Sequence, residues 1–157
     1  DFTYAVEVRH LALFDKSVNE KRLNQILASH AVNRIIMDTR ALFACKTDLT
    51  PLIEEVQARK PKVPTNVIAT AEAPLIRFVG HPVLTENVQF FIPWIQKLEQ
   101  WLEKGLAPFI FFHMHDKFSA PWLAELFFEH WRQVSPQLAQ PRLNLPPIDG
   151  QQMDIFG

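Results

Sequence analysis

The chain has 157 residues, of which 48% are hydrophobic and 21% charged, a composition typical of one folded domain and unlike that of a disordered protein. No apolar run approaches the roughly 20 residues of a membrane-spanning helix, and sixteen basic against seventeen acidic residues leave no global positive field to attract nucleic acid or membranes. The single cysteine, Cys45, excludes an internal disulfide, so we expect a soluble cytoplasmic protein.

The first part of the chain predicts a strand, a helix and a second strand. Residues 4–8 are β-branched and aromatic, which favours a strand, and because the chain begins without methionine we expect a preceding segment. Ser17 and Glu20 have the spacing of a capping box, and the apolar residues after them predict a helix over 18–31. The short apolar segment 34–38 then predicts a buried strand.

The next segment predicts a short helix followed by a long loop. Thr50 before Pro51 is a good helix start, and the helix should end before Pro61. Residues 59–74 are rich in proline and predict a loop, with an extended piece at 66–68.

A third strand and a long helical pattern follow the loop. Residues 75–79 predict the strand, and Thr85 begins a helical pattern that Gly105 ends. Pro93 lies inside this pattern, where it should kink the helix or separate its first turn.

The last part predicts a fourth strand, a helix and a tail. Residues 108–112 are apolar at every position, which is typical of a parallel strand covered on both faces. Ser119 should cap the last helix, and the proline-rich tail over 136–157 should lie on the surface, anchored by Ile155 and Phe156.

The alternation of strands and helices predicts an α/β fold with a parallel sheet, either doubly wound or part of a barrel. Four units of about 35 residues would make the carboxyl-terminal half of an eightfold (β/α)8 barrel, which takes roughly 250 residues. We therefore predict a half-barrel over 1–135 and a tail over 136–157. Because an isolated half leaves bare strand edges, we expect either a preceding amino-terminal half-barrel or a second copy to complete it.

Charged side chains follow every predicted strand, where binding and catalytic groups collect in parallel α/β folds. They are Glu7, Arg9 and His10 after the first strand, Asp38 and Arg40 at the second, Arg77 and His81 around the third, and His113, His115 and Asp116 at the fourth. Since carboxyl ends of parallel strands share one edge, we expect Glu7, Asp38, Arg77 and His113 to meet there. One interpretation of this charge is an ion-pair network without chemistry; the other is a functional site.

The functional interpretation has two forms. In the first, the protein is a hydrolase or isomerase that acts on a small anionic substrate. Arg9 and Arg77 would hold the anion, Glu7 or Asp38 would be the general base, and His113 or His115 the acid. Arginines lower the pKa of a neighbouring carboxyl, which weakens it as a base. In the second form, the same arginines bind a phosphorylated ligand or a nucleic-acid end without catalysis.

Two further groups of residues have the chemistry of a ligand site, a histidine pair and a basic cluster, but we favour a non-binding interpretation of each. His113 and His115 have a same-face spacing that would suit zinc or manganese, with Glu7 or Asp38 as third ligand. The sequence has no helical metal-binding motif of two histidines and a glutamate to support this interpretation, and we predict no metal or cofactor. The basic cluster of Arg59, Lys60 and Lys62 favours a solvated loop over phosphate contacts, although Lys60 and Lys62 would assist the binding alternative.

Five segments resemble the YecE-like proteins, a bacterial family of unknown function. They are 4–10, 32–40, 60–64, 74–80 and 94–98, in matching order and spacing. The resemblance implies an eightfold strand and helix barrel of which this chain would be the carboxyl-terminal half. It implies site roles for Glu7, Arg9, His10, Asp38, Arg77 and Gly80. Arg40, which is expected to share a face with Asp38, would join the substrate-binding residues. The chain differs from many members at Val79, where they have histidine, and at 113–116, where they have paired asparagines.

Overall fold

A computed structural model describes residues 2–46, 50–116, 118–138 and 141–146, and it has an α/β fold built on a four-stranded parallel sheet. The strands lie in chain order, and each pairs in parallel with the next. They are β1 (Ala5–Val6), β2 (Asn33–Asp38), β3 (Leu75–Val79) and β4 (Phe109–His113). The predicted parallel α/β fold is confirmed, and within the described ranges the sheet does not close into a barrel.

Five α-helices connect and flank the strands. They are α1 (Val18–Ser29), α2 (Arg40–Ala44), α3 (Pro51–Arg59), α4 (Phe91–Glu103) and α5 (Ala120–Val134). Short 3-10 helices lie at Leu11–Leu13 and Leu84–Phe90. The sequence predicted α1, α3, α4 and α5 to within a few residues but missed α2, which has only five residues. Residues 66–68, where the sequence predicted an extended piece within the loop, belong to no helix or strand.

Local chemistry explains where two of the helices begin. The Thr50 side chain accepts a hydrogen bond from the Ile53 N–H at the start of α3, as predicted. The pattern from Thr85 separates into a 3-10 helix and α4, which places Pro93 in the first turn of α4, where a missing N–H costs nothing. The capping box was wrong: Ser17 makes no side-chain cap bond, and Glu20 turns to a buried arginine instead.

The hydrophobic core lies on the face of the sheet that α4 and α5 cover, called here the helix face. Ile36, Ile76 and Phe78 point to this side and pack against Trp94 and Phe127, all at most 2% exposed. Because side chains alternate along a strand, the residues between them point to the opposite face, called here the open face. On the open face Phe109 and Phe111 are 54% and 52% exposed, so the expectation that β4 is covered on both faces was wrong for the described chain.

The described part of the tail follows α5. Arg132 donates to the Pro141 carbonyl, Trp122 donates to the Pro146 carbonyl, and the Leu143 N–H donates to Glu125. The predicted anchors Ile155 and Phe156 lie outside the described residues. In the part of the chain that the structure describes, no helix is long and apolar enough to cross a membrane.

Candidate functional site

Three strands bring charged side chains together at the carboxyl edge of the open face. Arg77 points away from its core neighbours Ile76 and Phe78, and the register places Phe111 beside it, two residues before His113. Arg77 and His113 therefore share one face of adjacent strands. Glu7, just after β1, reaches the same edge across the sheet.

Hydrogen bonds join these groups into a chain. Glu7 Oε2 accepts from Arg77 Nη1 at 2.5 Å, and Glu7 Oε1 accepts from Arg9 Nε at 2.8 Å. Arg77 Nε donates to His113 Nε2 at 3.1 Å. An imidazole nitrogen that accepts a hydrogen bond carries no proton, so this geometry corresponds to His113 with its proton on Nδ1.

A cavity of about 580 Å³ lies over this chain of hydrogen bonds. Its wall includes Lys60, which follows α3 directly, and the beginning of α5 at Ala120. The charged and imidazole side chains that line it are Arg9, Arg59, Lys60, Arg77, His113 and His115. We call Glu7, Arg9, Lys60, Arg77 and His113 the rim cluster, and this space the rim cavity.

The electrostatics of the rim cluster follow from its excess of positive charge. Burial by itself would raise the pKa of Glu7, but hydrogen bonds and charge from Arg77 and Arg9 outweigh it, and the pKa of Glu7 is lowered. Burial and the charges of Arg77 and Arg9 lower the pKa of Lys60. Burial, Arg77 and Lys60 lower the pKa of His113. Glu7 and His113 are thus both weakened as bases, and His113, whose neutral form is favoured, is poorly suited to the acid role expected of it.

Asp38 lies at the same carboxyl edge but points to the helix face, where it pairs with Arg40, so the expectation that it would meet Glu7, Arg77 and His113 was wrong. Asp38 is in phase with Ile36 and is fully buried. Its carboxylate accepts from Arg40 at 2.8 and 2.9 Å and from Trp94 Nε1 at 2.7 Å. Hydrogen bonds thus fix Asp38 within the fold, and it does not line the rim cavity.

Comparison with known proteins places the chain in a family. The family model described as protein of unknown function DUF72 matches residues 1–146. The chain belongs to this family. It is 39% identical over 138 residues to the UPF0759 protein YecE of Escherichia coli strain K12 and 38% identical to the protein of the same name from Escherichia coli O157:H7. Each match covers 88% of this chain and 50% of the relative, so the chain spans about half the length of these curated relatives. No solved structure matches it.

Two other residues that the resemblance to this DUF72 family implicated lie outside the wall of the cavity. His10 is exposed, and its Nδ1 accepts from the Ala12 N–H at 3.3 Å at the start of a 3-10 helix. A Cβ on Gly80 would lie 2.6 Å from Leu123 Cδ2 and 2.7 Å from Met114 Sδ, so glycine is needed there for packing. The His10 side chain has no hydrogen bond to the rim cluster among the described residues, and Gly80 has no side chain that could reach it.

His115 lines the rim cavity, as predicted for the fourth strand, but it does not build a metal site with its neighbours. Its buried Nδ1 has no hydrogen-bond partner among the described residues. Asp116 accepts from the N–H groups of Phe118 and Ser119 and from the Ser119 hydroxyl in the turn before α5, and Ser119, which was expected to cap α5, makes no side-chain cap bond. Over the described ranges, no group of three or more histidine, cysteine, aspartate or glutamate side chains is arranged to hold a metal ion.

Lys60 is the residue that sequence reasoning placed wrongly. It was interpreted as part of a solvated basic loop, together with Arg59 and Lys62. In the structure Lys62 lies over the Phe43 ring and does not line the cavity, whereas Arg59 and Lys60 both line it, and Arg59 pairs with Glu55. The only sequence signal was its position between the end of α3 and Pro61, where the chain turns back toward the sheet.

Proposed function

We propose that this protein binds a small anionic ligand, phosphorylated or acidic, in the rim cavity. The observation that carries the proposal is the convergence of Arg9, Lys60 and Arg77 on one cavity with Glu7 as the only carboxylate of the cluster. Cations held this close repel one another, so an anion that enters would relieve the repulsion as well as gain hydrogen bonds. Arg77 and Arg9 have planar donor faces suited to carboxylate or phosphate oxygens.

We propose further that the sheet is one half of a (β/α)8 barrel. The strands follow one another in chain order without the reversal that marks a doubly wound sheet. The exposed Phe109 and Phe111 on the open face would be covered by a second half, and the relatives are about twice as long as this chain. The second half would be a preceding segment of the same protein or another copy of the chain, and light scattering would distinguish one chain from two.

Catalysis of the hydrolase or isomerase kind rests on His113 in this proposal. Its Nε2 carries no proton but accepts from Arg77 Nε, so His113 would take a proton from a substrate or a water molecule only once Arg77 has turned that donor to the bound anion. Glu7 keeps its charge between two arginines and would organise them. Without such a substrate the same geometry gives a binding protein, and turnover that His113→Gln removes while ligand affinity persists would establish the enzyme.

The binding proposal is tested by titrating inorganic phosphate, pyrophosphate and citrate into the protein and recording heat and thermal stability. A ligand that binds the folded state raises its apparent stability by mass action, so we expect a rise with at least one of these anions. Arg77→Met should abolish it. Arg132→Met is the matched control, because Arg132 also pairs with one glutamate and is 21% exposed where Arg77 is 20% exposed. Equal binding by both variants would refute the proposed site.

Nucleic acid is the alternative anion. The formal charge of the chain is −1, and Lys62, which was expected to assist, does not line the cavity. We therefore favour a small ligand. Salt-dependent retention of an oligonucleotide that Arg77→Met weakens would reverse that choice.

A further inference from the structure

The charges of the rim cluster do not balance. Glu7 divides its two oxygens between Arg9 and Arg77, each of which keeps further donors. Lys60 has no hydrogen-bond acceptor or carboxylate partner in the described ranges, although it is half-buried. Among the described residues, Arg9, Lys60 and Arg77 therefore share one carboxylate, which leaves two positive charges without a partner.

The other ionisable groups at the cavity do not change this count. Arg59 forms an ion pair with Glu55, and Asp116 is occupied at the start of α5. His113 accepts from Arg77 and so adds no charge. His115 is the remaining imidazole of the wall, and its Nδ1 is buried without a hydrogen-bond partner among the described residues.

Resting on the proposed anion binding, we infer that the rim cavity selects doubly charged anions of the phosphate monoester class, and that Lys60 determines this selectivity. A singly charged ligand would neutralise one cation and leave the repulsion between Lys60 and the arginines in place. A phosphate monoester carries two charges near neutral pH and three acceptor oxygens, enough for one contact with each of Arg9, Lys60 and Arg77.

Phenyl phosphate and phenyl sulfate test the inference, because they share a ring and a tetrahedral anionic group but carry two charges and one at pH 7.5. We expect the protein to bind phenyl phosphate at least about ten-fold more tightly in calorimetry. Lys60→Met should reduce that ratio to about three or less while the far-ultraviolet spectrum stays unchanged. Lys97→Met is the matched control, since Lys97 is also half-buried but lies over Trp101 on α4.

The pH dependence gives a second measurement on the unaltered protein. Affinity for phenyl phosphate should rise from pH 5 to 7.5, as the second phosphate proton leaves near pH 6. Arg9, Arg59, Lys60, Arg77, His113 and His115 line the cavity for both probes, and Glu7 pairs with two of the arginines. Phenyl sulfate, whose own charge is constant, is therefore the reference for any change in the protein.

The outcomes separate the two proposals. Equal affinities in the unaltered protein, or a ratio that Lys60→Met leaves intact, overturn the role of Lys60 while anion binding stands. Binding of neither probe, together with no response to phosphate, pyrophosphate or citrate, overturns the proposed function and the inference with it.

Discussion

Two charged clusters on opposite faces of the sheet differ in how completely their charges are matched. On the helix face, Arg34 donates to Glu20, Asn24 and the Leu13 carbonyl, and Asp38 accepts from Arg40, Trp94 and Thr65. In the rim cluster, three cations share Glu7. Buried charges with full sets of partners stabilise a fold, whereas an excess of one sign beside a cavity costs stability and is useful only to a ligand.

The largest loss of stability should come from breaking the buried ion pair between Arg34 and Glu20 on the helix face. Arg34→Met leaves the Glu20 carboxylate buried without its cation, and we expect the free energy of unfolding to fall by about 3–5 kcal/mol in urea titrations. The control is Arg132→Met, whose ion pair is partly exposed and should cost at most about 1 kcal/mol. Similar losses in the two variants would contradict the assignment of Arg34 to the framework.

Gly80→Ala should have the next largest effect. The added Cβ meets Leu123, Met114 and the Asn87 Oδ1, all buried, so we expect a loss of about 1–3 kcal/mol from overpacking. Gly105→Ala separates crowding from backbone strain, because Gly105 has a φ of +75° and no atom within 4 Å of the position that an added methyl group would take. An altered anion affinity in folded Gly80→Ala would instead favour the substrate-binding role first expected of Gly80.

Acid should lower the stability of the fold through Asp38 on the helix face. Burial would raise the pKa of Asp38, but hydrogen bonds from Arg40 and Trp94 outweigh it and the pKa is lowered. Its contribution is therefore complete above the unfolded pKa near 4 and is lost as the pH falls through the lower folded value. Asp38→Asn should flatten the acid side of the stability profile by about 1 kcal/mol between pH 5 and 2.5 in urea titrations. Parallel profiles would contradict this.

The smallest change in stability should come from Lys60. Removing an unpaired ammonium beside two arginines relieves repulsion, so Lys60→Met should leave the free energy of unfolding within about 0.5 kcal/mol of the unaltered protein or raise it. A loss above about 1 kcal/mol would show that Lys60 supports the fold, and that the rim cluster does not differ from the paired charges of the helix face in this respect.

Much of the fold could be predicted because its signals are local. The Thr50-Pro51 pair begins α3 through contacts within one turn, and Leu75–Val79 is a strand by composition alone. Glu20 shows where local reasoning fails, since its spacing fits a capping box but one of its oxygens accepts from Arg34, fourteen residues away on β2. Arg40–Ala44 is too short to carry a helical period.

The candidate site was half predictable for a similar reason. Arg77 and His113 alternate with core residues, so their shared face follows from the strand period. Asp38 ends a strand that has buried apolar residues on both faces. The sequence therefore did not show which face would meet the helices, or to which face the Asp38 side chain would point. Lys60 reaches the cavity only through the path of the chain after α3, which a single sequence does not reveal.

Lys60 is the one member of the rim cluster that stands at the end of a helix, whereas the others lie on or just after strands. A substitution there alters no ladder hydrogen bond and no core contact. If the rim cavity binds anions as proposed, a single substitution at Lys60 would change the ligand charge it prefers and leave the sheet that carries Arg77 unaltered.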